Sequence, residues 1–418
     1  MSREMKQSGI PWIGDIPKDW TVCFIKQIMR NKSIKGYPDE MVLSLYRDYG
    51  VVPKNSRDDN HNVTSEDTSS YKFVEVGDFV INKMKAWQGS MAVSDYQGII
   101  SPAYYICRFI NDDIDRKYIH YLLRNDTYKA EYMRLSSGMR VGQWDLSIDD
   151  FLRIKMVLPS LSEQQKIASF LDRKSAEVDE MIALQEKIIE ELKAYKQSVI
   201  TEAVTKGLNL EVPMKHSGIE WIGEIPEHWE VIPHKRVMRK IKEIQEHYNG
   251  ENILSLTMKG VIVRDLEAGG KMPATFDGYQ RVYPNNLLQC LFDIDVTPRC
   301  VGLVKEYGLT SPAYSQFELF PNAYAPYYDY LLRYMDDIKA MLHLSKNLRS
   351  SLTETDFGAI LTCVPPISEQ QAIADYLDIK CTEIDSLINI KLSKIDSLKE
   401  YKKSIIYEYV TGKKEVIE

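Results

Sequence analysis

Cysteine is scarce in this chain, six among 418 residues (Cys23, Cys107, Cys290, Cys300, Cys363 and Cys381), and no two form a C-x2-C pair. That excludes a disulfide scaffold and leaves a structural zinc site without support. No apolar run approaches the ~18 residues of a membrane-spanning helix. The opening Met1-Ser2-Arg3-Glu4-Met5-Lys6-Gln7-Ser8 lacks the apolar stretch of a secretion signal. A reduced, cytoplasmic protein with no membrane partner is expected. Charge of one sign is also missing: 53 Lys+Arg against 60 Asp+Glu give a net charge of −7. Such a balance argues against coating nucleic acid along the whole surface, yet leaves local basic loops possible.

Catalytic signatures are absent too. The chain contains no G-x-x-x-x-G-K-[ST], no G-x-S-x-G, no H-E-x-x-H and no Asn-Pro-Pro-[Tyr/Phe] or Asp-Pro-Pro-Tyr. Pro365-Pro366 sits before a helix, and the seven His are scattered. Acidic pairs such as Asp112-Asp113 and Asp336-Asp337 read as turn and cap residues. No catalytic or metal residue is assigned.

What is present is a duplication. Met5-Lys6-Gln7-Ser8-Gly9-Ile10-Pro11-Trp12-Ile13-Gly14-Asp15-Ile16-Pro17-Lys18-Asp19-Trp20 returns 209 residues later as Met214 to Trp229, with Trp221 and Trp229 at the tryptophan positions. Ser101-Pro102-Ala103-Tyr104 returns as Ser311 to Tyr314, Tyr121-Leu122-Leu123-Arg124 as Tyr330 to Arg333, and Ser162-Glu163-Gln164-Gln165 as Ser368 to Gln371. Nearly constant offsets across the whole chain mean one unit written twice. The four opening tryptophans read as structural anchors.

Each copy has two textures. Residues 1–160 and 208–366 alternate short apolar runs with turn residues, as in Tyr71–Ile81 and Leu287–Phe292, and carry helical stretches at Ile119–Arg134 and Tyr327–Leu344. Two similar α+β domains are expected there. From Ser162 to Val204 and from Ser368 to Val410 neither Pro nor Gly occurs, and Gly207 and Gly412 supply stops. Each stretch would span roughly 63 Å as a helix. The expected order is therefore domain (1–160), helix (161–207), domain (208–366), helix (367–412) and a short tail (413–418).

Alternating steps of four and three mark a stripe on each helix: Ile167, Leu171, Lys174, Val178, Met181, Gln185, Ile188, Leu192, Tyr195 and Val199, then Ile373, Leu377, Lys380, Ile384, Leu387, Lys391, Lys394, Leu398, Tyr401 and Ile405. A mostly apolar stripe needs a partner helix, so the two stretches are expected to pair as an antiparallel coiled coil, with Lys174 and Lys380 as polar register residues. Two similar heads on paired helices would suit a linear, twofold partner such as duplex DNA. A pseudo-symmetric adaptor joining two proteins is the competing reading.

The repeated opening Ser-Gly-Ile-x-Trp-Ile-Gly-[Asp/Glu]-Ile-Pro-x-x-Trp, and Pro-x-x-Ser-Glu-Gln-Gln-x-Ile-Ala at Pro159–Ala168 and Pro365–Ala374, resemble type I restriction-modification specificity subunits. The resemblance covers almost the whole chain in the family's own order. It implies a non-catalytic subunit whose two target-recognition domains each read one half of a bipartite double-stranded DNA site. It further implies that the helices hold two modification (methyltransferase) subunits, that restriction subunits complete the complex, and that S-adenosylmethionine, ATP and Mg belong to those partners.

Candidate DNA contacts are read from loops that mix basic, amide and aromatic residues. Asn82–Gly89 offers Lys83 and Lys85 for phosphates and Gln88 for a base edge. Ser136–Trp144 offers Arg140 for guanine and Gln143 for adenine. In the second copy, Ser345–Ser351 offers Lys346, Asn347 and Arg349, and Thr297–Arg299 offers Arg299. Trp87 and Trp144 read as packing residues. The loops differ while their framework repeats, so an asymmetric site is expected.

Overall fold

A computed structural model describes residues 3–47, 49–56, 67–138, 144–268, 273–297, 299–344 and 350–417. It forms two compact units, one of residues 1–186 with 392–418 and one of residues 187–391. Each unit thus joins a globular head to part of both long helices.

The heads are α+β, as expected. In unit 1 an antiparallel sheet runs in the order Met29–Lys32, Tyr104–Phe109, Phe79–Asn82, Met91–Val93. In unit 2 the order is Met238–Ile241, Ser315–Leu319, Leu287–Gln289, Val301–Leu303, so the duplication extends to topology. The last strand of each head, Lys155–Leu158 or Leu361–Val364, pairs with Thr21–Phe24 or Glu230–Pro233 and leads directly into a long helix. The single helix expected over Ile119–Arg134 is two, Arg116–Arg124 and Asp126–Leu135. Asn125 divides them because it adopts extended backbone and its side chain accepts from Thr127 N, the ordinary work of an N-cap. Its counterpart region in unit 2 is one helix, Ala325–Asp337, followed by a 3-10 turn at Ala340–Leu344.

The long helices run Leu161–Lys206 and Ile367–Val410. Their starts explain the repeated Ser-Glu-Gln-Gln motif. Glu163 accepts the Trp20 indole N–H at 3.1 Å, and Glu369 accepts that of Trp229 at 3.0 Å. Both tryptophans are fully buried. Without those carboxylates, each buried N–H would cost about 1–3 kcal/mol. The first Gln of each motif ties the helix to its head: Gln164 accepts from Asp115 N and donates to the Asp113 and Pro159 carbonyls, and Gln370 repeats this with Tyr324, Asn322 and Pro365.

The far end of the other helix closes the same junction. In unit 1 the Tyr118 hydroxyl donates to the Val410 carbonyl at 3.0 Å, and in unit 2 Tyr327 donates to Val204 at 3.2 Å. Gly412 and Gly207 follow, at φ +71° and +76°. A Cβ on Gly412 would lie 2.3 Å from Pro17 Cδ, and one on Gly207 would lie 3.1 Å from Trp229 Cζ2. Glycine is needed there both for the left-handed turn and for the close approach.

The helices pair antiparallel, as expected, but the contact stripe has a different phase. In unit 1 the Phe170 and Tyr409 rings lie 4.4 Å apart and Lys402 pairs with Asp179 at 2.7 Å. In unit 2 the equivalent residues repeat the ion pair, Lys196 with Asp385 at 2.7 Å. Buried and half-buried positions run Leu171, Ser175, Val178, Ile182, Gln185 on the first helix and Ile395, Leu398, Lys402, Ile405 on the second in unit 1. Unit 2 repeats the pattern with Ile189, Leu192, Lys196, Val199, Ala203 against Leu377, Cys381, Ile384, Ile388, Lys391.

Every second position of the expected stripe therefore moves by one residue. Ile167, Leu171, Val178, Ile373, Leu377, Ile384 and Leu398 are buried as expected, and Ile188 and Leu192 are half-buried. Met181 and Leu387 are 51% and 46% exposed, with Tyr195 and Tyr401 also exposed, and their neighbours take the seam. Lys174 and Lys380 do not set register, since each pairs along its own helix with Glu177 or Glu383. Lys196 and Lys402 reach across instead, their stems covering apolar surface while the ammonium meets the facing Asp.

Ile384→Ala should cost about 2–5 kcal/mol in equilibrium urea unfolding, as expected for a buried position. Leu387→Ala should cost less than about 1 kcal/mol; equal losses would contradict the phase described. A second test uses His234, fully buried with its ring 4.8 Å from Phe357. Burial lowers its pKa from 6.5 to about 4, so the folded ring stays neutral where the unfolded one protonates. Stability from this group is full above pH ~6.5 and is lost as the pH falls toward 4, on the order of 3 kcal/mol. His234→Met should flatten that part of the pH–stability curve, and an unchanged acid limb would refute the assignment.

Candidate nucleic-acid interface

In unit 1, residues Lys83–Gln88 form a 3-10 turn between the strand Phe79–Asn82 and Gly89. Asn82 starts it by accepting from Met84 N at 3.1 Å. Lys83 lies with its ammonium 4.7 Å from the centre of the Tyr105 ring, Lys85 is exposed, and Gln88 is half-buried. Trp87 and Trp144 pack edge to face at 5.3 Å, and the Trp87 indole donates to the Met84 carbonyl, which fits the packing role read from the sequence.

Two of the sequence-selected stretches come together here. Ser137 and Asp145 exchange backbone hydrogen bonds of 3.1 and 2.9 Å, and Leu146 N donates to the Lys83 carbonyl at 3.3 Å. The base of the 138–144 loop is thereby stitched to the lysine-bearing turn. Arg140 and Gln143 lie outside the described residues. Unit 2 repeats the stitching: Leu352 N donates to the Leu291 carbonyl at 2.8 Å, and Ile294 N to the Ser350 carbonyl at 3.2 Å. Lys346, Asn347 and Arg349 lie outside the described residues.

Arg299 departs from its expected place on an open loop. Its side chain is only 13% exposed and pairs with Asp337 at 2.7 Å and with Asp336, itself 1% exposed, at 3.3 Å. Asp336 also accepts from Cys300 N at 2.8 Å. These contacts use the guanidinium to hold the chain entering the strand Val301–Leu303. Its charge is thus engaged by two carboxylates within the head rather than offered on an open loop.

The sequence reading missed Lys72, on the strand Lys72–Val74. Its ammonium donates to the Tyr104 carbonyl at 2.7 Å and lies 5.7 Å from the Tyr105 ring. Partial burial, then the neighbouring charges of Lys83 and Lys35, push its pKa down. Tyr71-Lys72-Phe73 alternation marks only an outward strand position, so no sequence signal singled it out. Among the described residues, no group of three or more His, Cys, Asp or Glu is arranged to hold a metal, and no helix is long and apolar enough to cross a membrane.

Residues 17–194 match the family model for the type I restriction modification DNA specificity domain. A Methanocaldococcus jannaschii protein, provisionally named the specificity subunit of the type I restriction enzyme MjaX, is 25% identical over 97% of this chain and 96% of its own length. The StySPI specificity subunit of Salmonella potsdam is 32% identical over 26% of this chain and 23% of its own. Among solved structures, a chain from work on complex assembly and conformational transition of the type I R-M system is 14% identical. It superposes with a TM-score of 0.69 over 94% of this chain and 98% of its own. The HsdS subunit of Thermoanaerobacter tengcongensis, 13% identical, gives 0.52 over 95% and 98%. At these identities the structural matches speak for the fold alone.

Arg299→Ala should lower stability by about 1–3 kcal/mol because it removes one of the cationic partners of buried Asp336, leaving Lys339 and the Cys300 N–H to hold that carboxylate. Lys85→Ala, at an exposed site, should stay within about 0.5 kcal/mol. Thermal or urea unfolding measures both, and a neutral Arg299→Ala would show that the guanidinium is not structural.

Proposed function

We infer that the chain belongs with the type I specificity subunits, since residues 17–194 match the type I restriction modification DNA specificity domain and the sequence repeats that unit once. From this we propose that it is the DNA-reading subunit of such a complex, recognising an asymmetric bipartite site with one head per half-site. The observation that carries the reading is the contrast between framework and loops. The junction of Trp, Glu and Gln is repeated residue for residue, and both loops are stitched to the same turn by the same kind of backbone bond. The loop sequences diverge after a shared start: at the repeat's offset Ser136 and Arg140 meet Ser345 and Arg349, but Ser137-Gly138-Met139 meets Lys346-Asn347-Leu348, and the second loop is three residues shorter before Leu352, the counterpart of Leu146. A scaffold kept constant under divergent tips is what reading two different sequences requires.

Arg140 and Gln143 of the first copy and Lys346, Asn347 and Arg349 of the second are proposed to reach base edges or phosphates, and so are Lys83, Lys85 and Gln88. The chain would act without a cofactor of its own. S-adenosylmethionine, ATP and Mg would serve the modification and restriction subunits that it assembles. Exposed apolar side chains on the helices supply docking surface for the two modification subunits: Met181, Leu184 and Tyr401 in unit 1, and Tyr195, Leu387 and Ile390 in unit 2.

Adenine-methylation mapping in a host that carries this chain with its modification subunit should reveal an asymmetric two-part sequence. Replacing residues 1–160 with another recognition domain should change one part only. Inserting seven residues into one long helix, about 10.5 Å or three base pairs of rise, should lengthen the unread gap or abolish modification. A perfect palindrome, or a gap indifferent to the insertion, would overturn the reading. Modification independent of this chain would favour a protein adaptor instead.

A further inference from the structure

The two heads are matched closely enough to be compared position by position. Lys72 pairs in register with Ile100, and Gln280 with Thr310; Tyr105 faces Ile81, and Ser315 faces Gln289. Phe73 N donates to the Ile34 carbonyl just as Arg281 N donates to the Glu243 carbonyl. Lys72, Lys83, Lys35 and Tyr105 of the first head therefore correspond to Gln280, Leu291, Ile244 and Ser315 of the second.

Gln280 shows what the position needs structurally. Its amide donates to the Tyr314 carbonyl at 2.7 Å, the counterpart of the Tyr104 carbonyl that Lys72 holds at 2.7 Å. A neutral side chain makes this bond, so the positive charge of Lys72 is not required for it. That charge is nevertheless kept under unfavourable conditions. Lys72 is partly buried, with Lys83 and Lys35 both repelling it, and among the described residues neither Lys72 nor Lys83 forms an ion pair. Asp145, at the base of the adjoining loop, and Asp149 act on the Tyr105 hydroxyl, but neither pairs with Lys72 or Lys83 among the described residues. Uncompensated like charges gathered on one aromatic ring, beside a loop that leaves the framework, form a site waiting for an anion.

We propose that Lys72 and Lys83, flanking Tyr105 and supported by Lys35, hold DNA backbone phosphates in the first head alone, so that the two heads anchor their half-sites unequally. The first head grips through charge. The second, with Gln280, Leu291 and Ile244 in the same places, lacks this ionic anchor. The inference rests on the DNA-reading function proposed above and adds a division of labour between the copies.

The test measures binding of the full chain to a duplex of arbitrary sequence over a salt series, comparing wild type with a Lys72→Gln/Lys83→Gln variant. The first substitution copies the second head's own solution and keeps the bond to the Tyr104 carbonyl. Two lost phosphate contacts should reduce the slope of log K against log salt by about 1.8, or roughly a tenfold smaller loss of affinity between ~50 and ~200 mM salt. Lys83→Arg should retain the wild-type slope, and urea midpoints should be unchanged throughout. A steep wild-type slope that the double variant leaves intact would overturn the anchor while leaving DNA reading standing. Absence of salt-dependent duplex binding by the wild type would overturn both.

Discussion

A buried indole N–H that must find an acceptor governs this architecture. Trp20 and Trp229 are enclosed on all sides, and each satisfies its one polar atom with the glutamate in the first turn of its own long helix. The same ring presses on the terminal glycine of the other helix. Three segments remote in sequence therefore meet at one side chain: the opening motif of a head, the start of the helix that leaves it, and the end of the helix that arrives. Loss of the acceptor would strand a buried donor, and a larger residue at the glycine would collide with the ring.

That junction gives the paired helices their order. Each helix starts under one head and ends under the other, so antiparallel pairing is built into the connectivity. Within each unit the crossed Lys–Asp pair then selects register. Such an exposed pair adds little stability, typically under about 1 kcal/mol. Its value is positional, because within its own unit each lysine, Lys196 or Lys402, meets its aspartate, Asp385 or Asp179, in only one alignment of the helices.

The site is legible in the sequence to a smaller extent than the fold. Composition and motif absences bounded the chemistry, and the repeat located two corresponding loops, but the sequence placed Arg299 among the readers when its charge is used by Asp336 and Asp337. Those carboxylates sit on a helix more than thirty residues away, and no local pattern announces the encounter. Lys72 was overlooked for the opposite reason. Its meaning comes from Lys83 and Tyr105, which three-dimensional pairing brings to it, and from Gln280, which shows the neutral alternative.

Duplication, two α+β heads and two long helices are properties of the sequence by itself, because repetition, helix-breaker spacing and glycine stops are local and one-dimensional. The phase of the helix seam is not. Met181-Ile182, Ile188-Ile189 and Leu387-Ile388 offer two adjacent apolar residues at the same step, so a four-three pattern fits either choice. Hydropathy also favours Tyr195 and Tyr401 over Lys196 and Lys402, although the lysines lie in the seam. Only the facing helix decides, since a lysine stem can line an apolar groove when an aspartate waits at its edge.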